Sequence, residues 1–434
     1  MSGLMHDAST TDLLQAGREQ HQLGHVEAAE AIYRRAVEQD PTSTAARLQL
    51  GIAVSELGRP VEAGEIFGQL VVDHPDFAAG WVQLARVIAS QGFAWEAHEA
   101  LSRALKAKMD VDTLLAVSAI QLSILQDVAA AEASCRRATK LSPHSAAVWI
   151  QLGQVLTVKG RPARAAAAYE RALAAEPANA LASFLLTALR PSIGNSAPRS
   201  NQPAEKAAVP LPVSAAPPEY VRALFDGCAE RFDSLLVASL NYRTPKMLDT
   251  MFSNWLARPG AGPARPLAML DAGCGTGLCG AWLAPYRGRL SGVDLSRKML
   301  AEAQARGVYD ELLPGEIVQI LSARPESVDL IVAADVLVYC GDLSSVFAAA
   351  AAALHAGGVF LFSVEAVAQG DYVLQSTQRF AHSMTYLHRL AAASGLVVRA
   401  EQQAVLRTEK GNDVNGYLLL TEKPVRAATT ELIP

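Results

Sequence analysis

Residues 270–280 read LDAGCGTGLCG, an apolar run that breaks into glycines. Glycine at this spacing lets a backbone pass close to a ligand, because no Cβ stands in the way. Two chemistries match the same residues. Gly275, Gly277 and Gly280 spell G-x-G-x-x-G, the loop that cradles a dinucleotide pyrophosphate. Asp271, Gly273, Gly275 and Gly277 spell D-x-G-x-G-x-G, the loop that holds S-adenosylmethionine. Asp271 separates them. A carboxylate ahead of the glycines repels a pyrophosphate but accepts a bond from an amino group, directly or through water. Its other reading is a cap for the loop's own amides. A second acid, Asp294, ends the next apolar run, LSGVD, where both cofactor classes place an acid for the ribose hydroxyls.

These residues need a sheet whose strand ends converge. From residue 267 the chain alternates strand, turn and helix, which predicts an open, mostly parallel α/β sheet with its ligand at the carboxyl ends of the strands. LAML, LSGVDLS, VDLIVAADVLVY and VFLFSVE read as buried strands. EIVQIL reads as a short helix or a strand edge. LSSVFAAAAAALHAGG reads as a helix closed by Gly357 and Gly358. LVVRAEQQAVLRT and NGYLLLTEK, joined by EKGND, form a closing hairpin, so the final strand is expected to be antiparallel. With that hairpin and a loop that needs to hold no phosphate, S-adenosylmethionine is favoured over a nicotinamide dinucleotide. The dinucleotide match alone is weak.

Region 219–424 resembles the class I S-adenosylmethionine-dependent methyltransferases, and within them a bacterial group of predicted methyltransferases with N-terminal tetratricopeptide (TPR) repeats. YVRALFDGCAERFDSLL, LDAGCGTG, GVDLSRKMLAEA, VDLIVAADVLVYCGDL, GGVFLFSVE and RFAHSMTYLHRLAAASG carry the resemblance. It implies a Rossmann-like, seven-stranded sheet with an antiparallel last strand. It further implies that Gly273, Gly275 and Gly277 pack under the methionine part of the cofactor, with Asp294 on the ribose diol. Leu295 and Met299 would border the adenine, and Glu316 and Ile317 would follow the third strand near its amino group, although PGEIVQIL departs from the usual Gly-Asp-Ala form. Asp335 would sit at the lip of the fourth strand, near the transferable methyl.

Methyl transfer from a sulfonium is an in-line displacement, so alignment contributes most, about 7–11 kcal/mol. A base is required only for a protonated, poorly nucleophilic acceptor. His382, in RFAHSMTY, is the candidate base, and its other reading is a helix-start or core hydrogen-bonder. Tyr339, Glu365, Tyr372 and Arg379 are candidate acceptor-binding residues, with Arg379 either holding an acceptor carboxylate or pairing with Asp371. Val221, Leu224, Phe225, Cys228, Phe232 and Leu235 follow helical spacing. That helix is expected to cover the cofactor, with Tyr220, Phe225, Phe232 and Tyr242 as lid aromatics.

The first half repeats every 34 residues. Pro41, Pro75, Pro143 and Pro177 share one lattice, with Met109 at the missing node, and Gly24, Gly58, Gly92 and Gly160 another, with Gln126 in the gap. Ala29, Ala63, Ala97, Ala131 and Ala165 hold a third; Tyr33, Phe67, Leu101, Cys135 and Tyr169 hold a fourth. Glycine turns one helix into the next, the alanine admits close approach, and the larger residue one turn later fills the gap. The pattern resembles the TPR repeat over residues 10–177. ALASFLLTALR, at 180–190, is expected to cap the stack. Such arrays bind proteins or peptides in a concave groove. Gln15, Gln49, Gln83 and Gln151 recur at one groove position, readable as a ligand rail or as solvated surface.

The expected organisation is therefore a tail (1–9), an all-α TPR solenoid (10–190), a Pro/Ser/Ala-rich linker (191–218), a methyltransferase domain (219–424) and a second tail (425–434). A net charge of −5 gives no electrostatic case for nucleic acid, and 5 scattered cysteines without C-x-x-C suggest neither a metal site nor a disulfide framework. With no signal peptide and no apolar run long enough for a span, a cytoplasmic location is expected. Two functions follow from these readings: methyl transfer to an unidentified small-molecule or protein acceptor with a TPR-bound partner, or a TPR scaffold whose cofactor domain has lost turnover.

Overall fold

The computed structural model describes residues 9–193, 213–229, 232–234, 242–258, 266–409 and 411–425. Most of the expected linker and tails lies outside them. The chain divides into two compact units, one of residues through Ala182, the other of the described residues from Ser183 onward.

The first unit is built from helix pairs, beginning with Thr10–Leu23 against Val26–Gln39 and ending with Ala146–Val158 against Pro162–Ala175. Gly24, Gly58, Gly92 and Gly160 turn the pairs with positive φ. The fourth turn lacks glycine, yet Gln126 adopts the same region at φ 55°, and Asp127 caps the next helix by accepting from the Ala130 amide at 2.9 Å. Turn geometry is thus kept where the glycine lattice is broken. All five lattice alanines are fully buried. Across from each large lattice residue the first helix is cut back to match. A Cβ on Gly17, Gly51 or Gly153 would come within 2.4 Å of the rings of Tyr33, Phe67 and Tyr169. Where the large residue is Leu101 or Cys135, the equivalent position is Ala85 or Ala119. Trp81 and Trp149 repeat a second device, each donating its indole N–H to the carbonyl of Pro75 or Pro143, at 2.8 and 2.7 Å.

This complementarity sets an expected result. Gly51→Ala forces the Phe67 ring from its place and should cost about 1–3 kcal/mol. Adding Phe67→Leu, which recreates the Ala85–Leu101 pairing, should recover part of the loss. Thermal unfolding of the single and double variants of the full chain measures both.

The helix expected to cap the stack is Ala180–Ile193. From Ser183 on it groups with the second unit, where Phe184 is fully buried against Tyr220 and Phe380, with ring centroids at 5.3 and 6.5 Å.

The second unit carries one sheet of 9 strands among the described residues: β1 Leu267–Ala272, β2 Arg287–Asp294, β3 Glu311–Pro314, β4 Val328–Ala333, β5 Leu354–Ala366, β6 Tyr372–Leu374, β7 Phe380–His382, β8 Val397–Glu409 and β9 Asn412–Glu422. β3, β2, β1, β4 and β5 run parallel in that order, and β9 lies antiparallel between β5 and β8, as the closing hairpin predicts. The two strands beyond the expected seven are β6 and β7, a three-residue hairpin attached to the end of β5 through Glu365–Ala381 and Ala366–His382. Strands so short leave no alternation to read. β5 also starts earlier than expected, at Leu354, because Leu354 pairs with Val328; tertiary pairing overrides the glycine pair. EIVQIL forms the helix Ile317–Ser322.

The sheet is buried on both faces, as parallel strands joined by helices require. In β4, Ile331 and Ala333 pack toward Phe347 and Leu387, while Leu330 and Val332 pack toward Leu248, Phe252 and Leu283. This two-sided core leaves the carboxyl ends of β1, β2 and β4 as the place where polar side chains converge.

Candidate functional site

A crevice of about 1130 Å³, counted to its open mouth, lies at those strand ends in the second unit. Its floor is the turn after β1. Gly273, at φ 72°, is shut in by Val336, whose methyl would lie 1.9 Å from an added Cβ. The amides of Gly273 and Cys274 both donate to the Val293 carbonyl, at 2.7 and 2.9 Å, and this ties the turn to β2. A Cβ on Gly275 would meet nothing nearer than the Phe232 ring at 3.7 Å, so that backbone faces open space.

Two acids flank the turn. Asp294 accepts from the Gly275 amide through one oxygen (2.9 Å) and from the Ser296 amide through the other (2.8 Å). Burial pushes its carboxyl up, and those amide bonds oppose the push. Asp271 is 1% exposed and accepts from the Tyr309 hydroxyl at 2.6 Å. Burial pushes its carboxyl up to about 7, against the Tyr309 bond and with the Asp294 charge. Gly277 and Gly280 are turned from the crevice toward Tyr309 and Val308. The dinucleotide reading of these glycines thus has no counterpart in the crevice wall.

One wall comes from the segment ahead of β1. Residues 214–216 pair with 339–342: Ala216 donates to the Tyr339 carbonyl and Gly341 to the Ser214 carbonyl, at 2.8 and 2.7 Å. The helix Pro218–Asp226 is fastened by Ser296 donating to Asp226 at 2.5 Å, and Asp233 accepts from Thr276 at 2.5 Å. Phe225 meets Phe232 and Tyr339 edge-on, at 5.8 and 5.5 Å. Phe225, Phe232 and Tyr242 line the crevice, whereas the Tyr220 hydroxyl is spent on Gln378. Leu235 lies outside the described residues.

The far end is a charge cluster in which the expected site residues Asp335, Glu365 and Arg379 meet two residues that the sequence reading missed, Arg407 and Glu409. Arg407, 4% exposed in its side chain, bonds Asp335 (3.1 Å), Glu409 (2.7 Å) and Glu365. Arg379 pairs with Glu365 at 2.9 Å and with Glu409. Burial pushes Glu409 up, but its bonds to the two arginines outweigh this and hold it below the usual carboxylate range. Asp335 has φ 54°, a conformation that a non-glycine residue adopts at a cost of about 1–3 kcal/mol. Ser363 holds it there, accepting from the Asp335 amide and donating to its carboxylate, both at 2.8 Å. Arg407 and Glu409 sit in β8, beyond every cofactor motif. Nothing in the sequence set them apart from Arg399 and Glu401, the other charged pair of the same strand.

The structure brings Asp271, Gly273, Gly275, Asp294, Asp335, Tyr339 and Arg379 to one crevice. Other expected site residues stand apart. His382 is fully exposure-free in the core, its Nε2 3.0 Å from the Gly341 carbonyl, and burial pulls its imidazole down to about 4. It does not line the crevice; the core reading replaces the base reading. Tyr372 packs edge-on or tilted against Phe380, His382 and Tyr386 behind the site. Glu365 is a buried counter-charge and not an open acceptor ligand. Arg379 pairs with Glu365 and Glu409, while Asp371 pairs with Arg389 at 2.7 Å. Met299 is fully buried under its helix cap, and Leu295, Glu316, Ile317 and Gly277 do not form the crevice wall.

Residues 270–362 match the family model described as a methyltransferase domain, and residues 20–88 and 125–180 match TPR models. The chain is 30% identical over 189 residues to a ubiquinone biosynthesis O-methyltransferase of Thiobacillus denitrificans, covering 36% of this chain and 80% of that protein. Among solved structures, a thermophilic TPR protein of Thermus thermophilus is similar (23% identity, 39% of this chain and 93% of that one, TM-score 0.35). So is a didemethyltoxoflavin N1-methyltransferase of Burkholderia thailandensis solved with S-adenosylhomocysteine (19% identity, 52% and 99%, TM-score 0.39). The chain belongs to the class I S-adenosylmethionine-dependent methyltransferases, with TPR repeats in its first half. Its cofactor is S-adenosylmethionine, and the open backbone at Gly275 beside the buried Asp271 and the half-buried Asp294 suits an amino acid and a ribose diol. No helix among the described residues is long and apolar enough to cross a membrane.

Proposed function

We propose that the second unit methylates a hydroxyl of an uncharged small molecule, and that the repeats bind a protein or peptide in their concave groove. The cofactor supplies an electrophilic methyl. In this reading Gly273 and Gly275 run under its methionine part, Asp271 accepts from its amino group and Asp294 from its ribose hydroxyls. Phe225, Tyr242 and Tyr339 wall the acceptor side and exclude water, and Asp335 accepts the acceptor's hydroxyl proton.

The charge cluster carries the choice of acceptor. Both guanidinium groups in the crevice are already bonded to carboxylates, and three acids face two bases. An acceptor carboxylate would meet excess negative charge in a low-dielectric wall and, among the described residues lining it, no guanidinium without a carboxylate partner, while an uncharged hydroxyl faces no such cost. The aligned relative from Thiobacillus is by its name an O-methyltransferase, which agrees with this choice.

The test is incubation of the full-length protein and tritiated S-adenosylmethionine with small-molecule and protein fractions of a bacterial extract. Label in small molecules that pass an anion exchanger and survive alkali is expected. Label in protein, or in alkali-labile esters held by the exchanger, overturns the acceptor reading. Absence of label with S-adenosylhomocysteine still bound overturns turnover itself and leaves a scaffold.

A further inference from the structure

We propose that Tyr309 is a positioning residue for the cofactor: its phenol holds one oxygen of Asp271 and leaves the other to accept the cofactor's amino group, and Gly277, Gly280 and Gly292 form its seat. The inference rests on the reading of Asp271 above. Tyr309 follows the helix Arg297–Ala305 and is outside every cofactor motif. Its hydroxyl donates to Asp271 Oδ2 at 2.6 Å. Three glycines yield to its ring from separate elements. An added Cβ would stand 2.9 Å from the ring at Gly277, 3.0 Å from the ring and hydroxyl at Gly280, where Val308 is nearer at 2.6 Å, and 3.1 Å from the ring at Gly292 in β2, where Leu312 and Cys274 are nearer at 2.7 and 2.9 Å. The spacing that mimics a dinucleotide loop is therefore, at its last two glycines, the socket of one tyrosine.

The consequence is electrostatic. Asp271 is buried beside Asp294, with the thiols of Cys274 and Cys279 near it; Tyr309 donates to it. Arg306 flanks the socket at Gly277, but its guanidinium is held by Asp233 and the Thr276 carbonyl. The Tyr309 bond favours the ionised carboxylate, which otherwise suffers from burial and from Asp294. An ionised Asp271 attracts an ammonium group, and a protonated one does not. Affinity for the cofactor should therefore rise as pH passes about 7, and loss of the phenol should move that rise upward.

Titration calorimetry with S-adenosylhomocysteine on the full-length protein from pH 6 to 9 tests this. Tyr309→Phe keeps the ring and removes the bond. The expected result is a rise displaced upward by about one pH unit, a loss of about five- to ten-fold at pH 7, and near-equality at pH 9. The ligand's own titration is common to all variants and cancels in the ratio. Gly280→Ala, whose Cβ presses on Val308 and on the phenol from outside the crevice, should displace the rise in the same direction and serves if Tyr309→Phe does not fold. Superimposable profiles, or a loss equal at every pH, overturn the inference. Asp271→Asn separates the two layers: its profile should show only the ligand's own titration, with no rise near pH 7. Wild-type affinity in that variant at pH 8 would instead remove the Asp271 reading.

Discussion

Arg407→Leu is expected to destabilise the second unit by about 3–5 kcal/mol, the usual result of removing one partner from a buried ion pair. Arg407 is nearly inaccessible and serves three carboxylates. Without it Glu365 and Glu409 keep only Arg379, and Asp335 keeps no ion pair among the described residues. Buried carboxylates left this way take up protons, so the loss should be larger at pH 8 than at pH 5.5. Hydrogen exchange of peptides from β5, β8 and β9 localises the effect to this unit, which matters because a chain of two units need not unfold in one step. The double variant Arg407→Leu with Glu365→Leu should recover part of the stability, since an apolar pair can replace a buried ionic one. It should not recover methyl transfer if the cluster holds Asp335 in its strained conformation. Equal stability of Arg407→Leu and wild type at pH 8 would show that the cluster is solvated rather than dry.

The contrast between this cluster and the glycine turn explains what the sequence made legible. Helix pairs, parallel strands and the cofactor turn are local patterns: a period of 34, an alternation, an acid two residues before a glycine. Each can be read within one window. Gln126 shows the limit of even a good lattice, because the turn survives where its glycine does not. The acceptor side is assembled from β5, β8 and Asp335, two residues past the end of β4, and its bonded partners lie 28 to 72 positions apart. Arg379 could be singled out, but its partners could not, since Asp371 is near in sequence and Glu409 is near in space. His382 failed for the same reason. A histidine ahead of a helix looks catalytic by type and position, and only burial and the Gly341 carbonyl show it to be a core residue. Tyr309 carried no signal at all, because its seat is made of glycines already assigned to another purpose.

Asp294→Ala should abolish cofactor binding without weakening the fold. In the proposed site Asp294 accepts from both ribose hydroxyls. Hydrogen bonds to a charged acceptor contribute about 1.5–3 kcal/mol each, so a loss of about 100-fold or more in affinity for S-adenosylhomocysteine is expected. The folded protein gains little from this carboxylate in return. Burial raises its pKa above the unfolded value, so above that value the charged form is favoured more in the unfolded chain, and ionisation costs stability at neutral pH. Alanine removes that cost. The Gly275 amide it releases lines the open crevice, where water replaces the lost acceptor, whereas Ser296 is buried and the loss of an acceptor for its amide offsets part of that gain. Thermal unfolding at pH 7.5 should therefore show a nearly unchanged midpoint in Asp294→Ala, and calorimetry should show binding lost. Asp294→Asn, which keeps one acceptor oxygen, should fall between alanine and wild type in affinity. A variant that binds within five-fold of wild type would move the ribose contact elsewhere. One that loses affinity only together with stability would make Asp294 a clasp of the turn rather than a ligand of the cofactor. The two measurements taken together separate a site held at a cost to the fold from a site that is merely part of it.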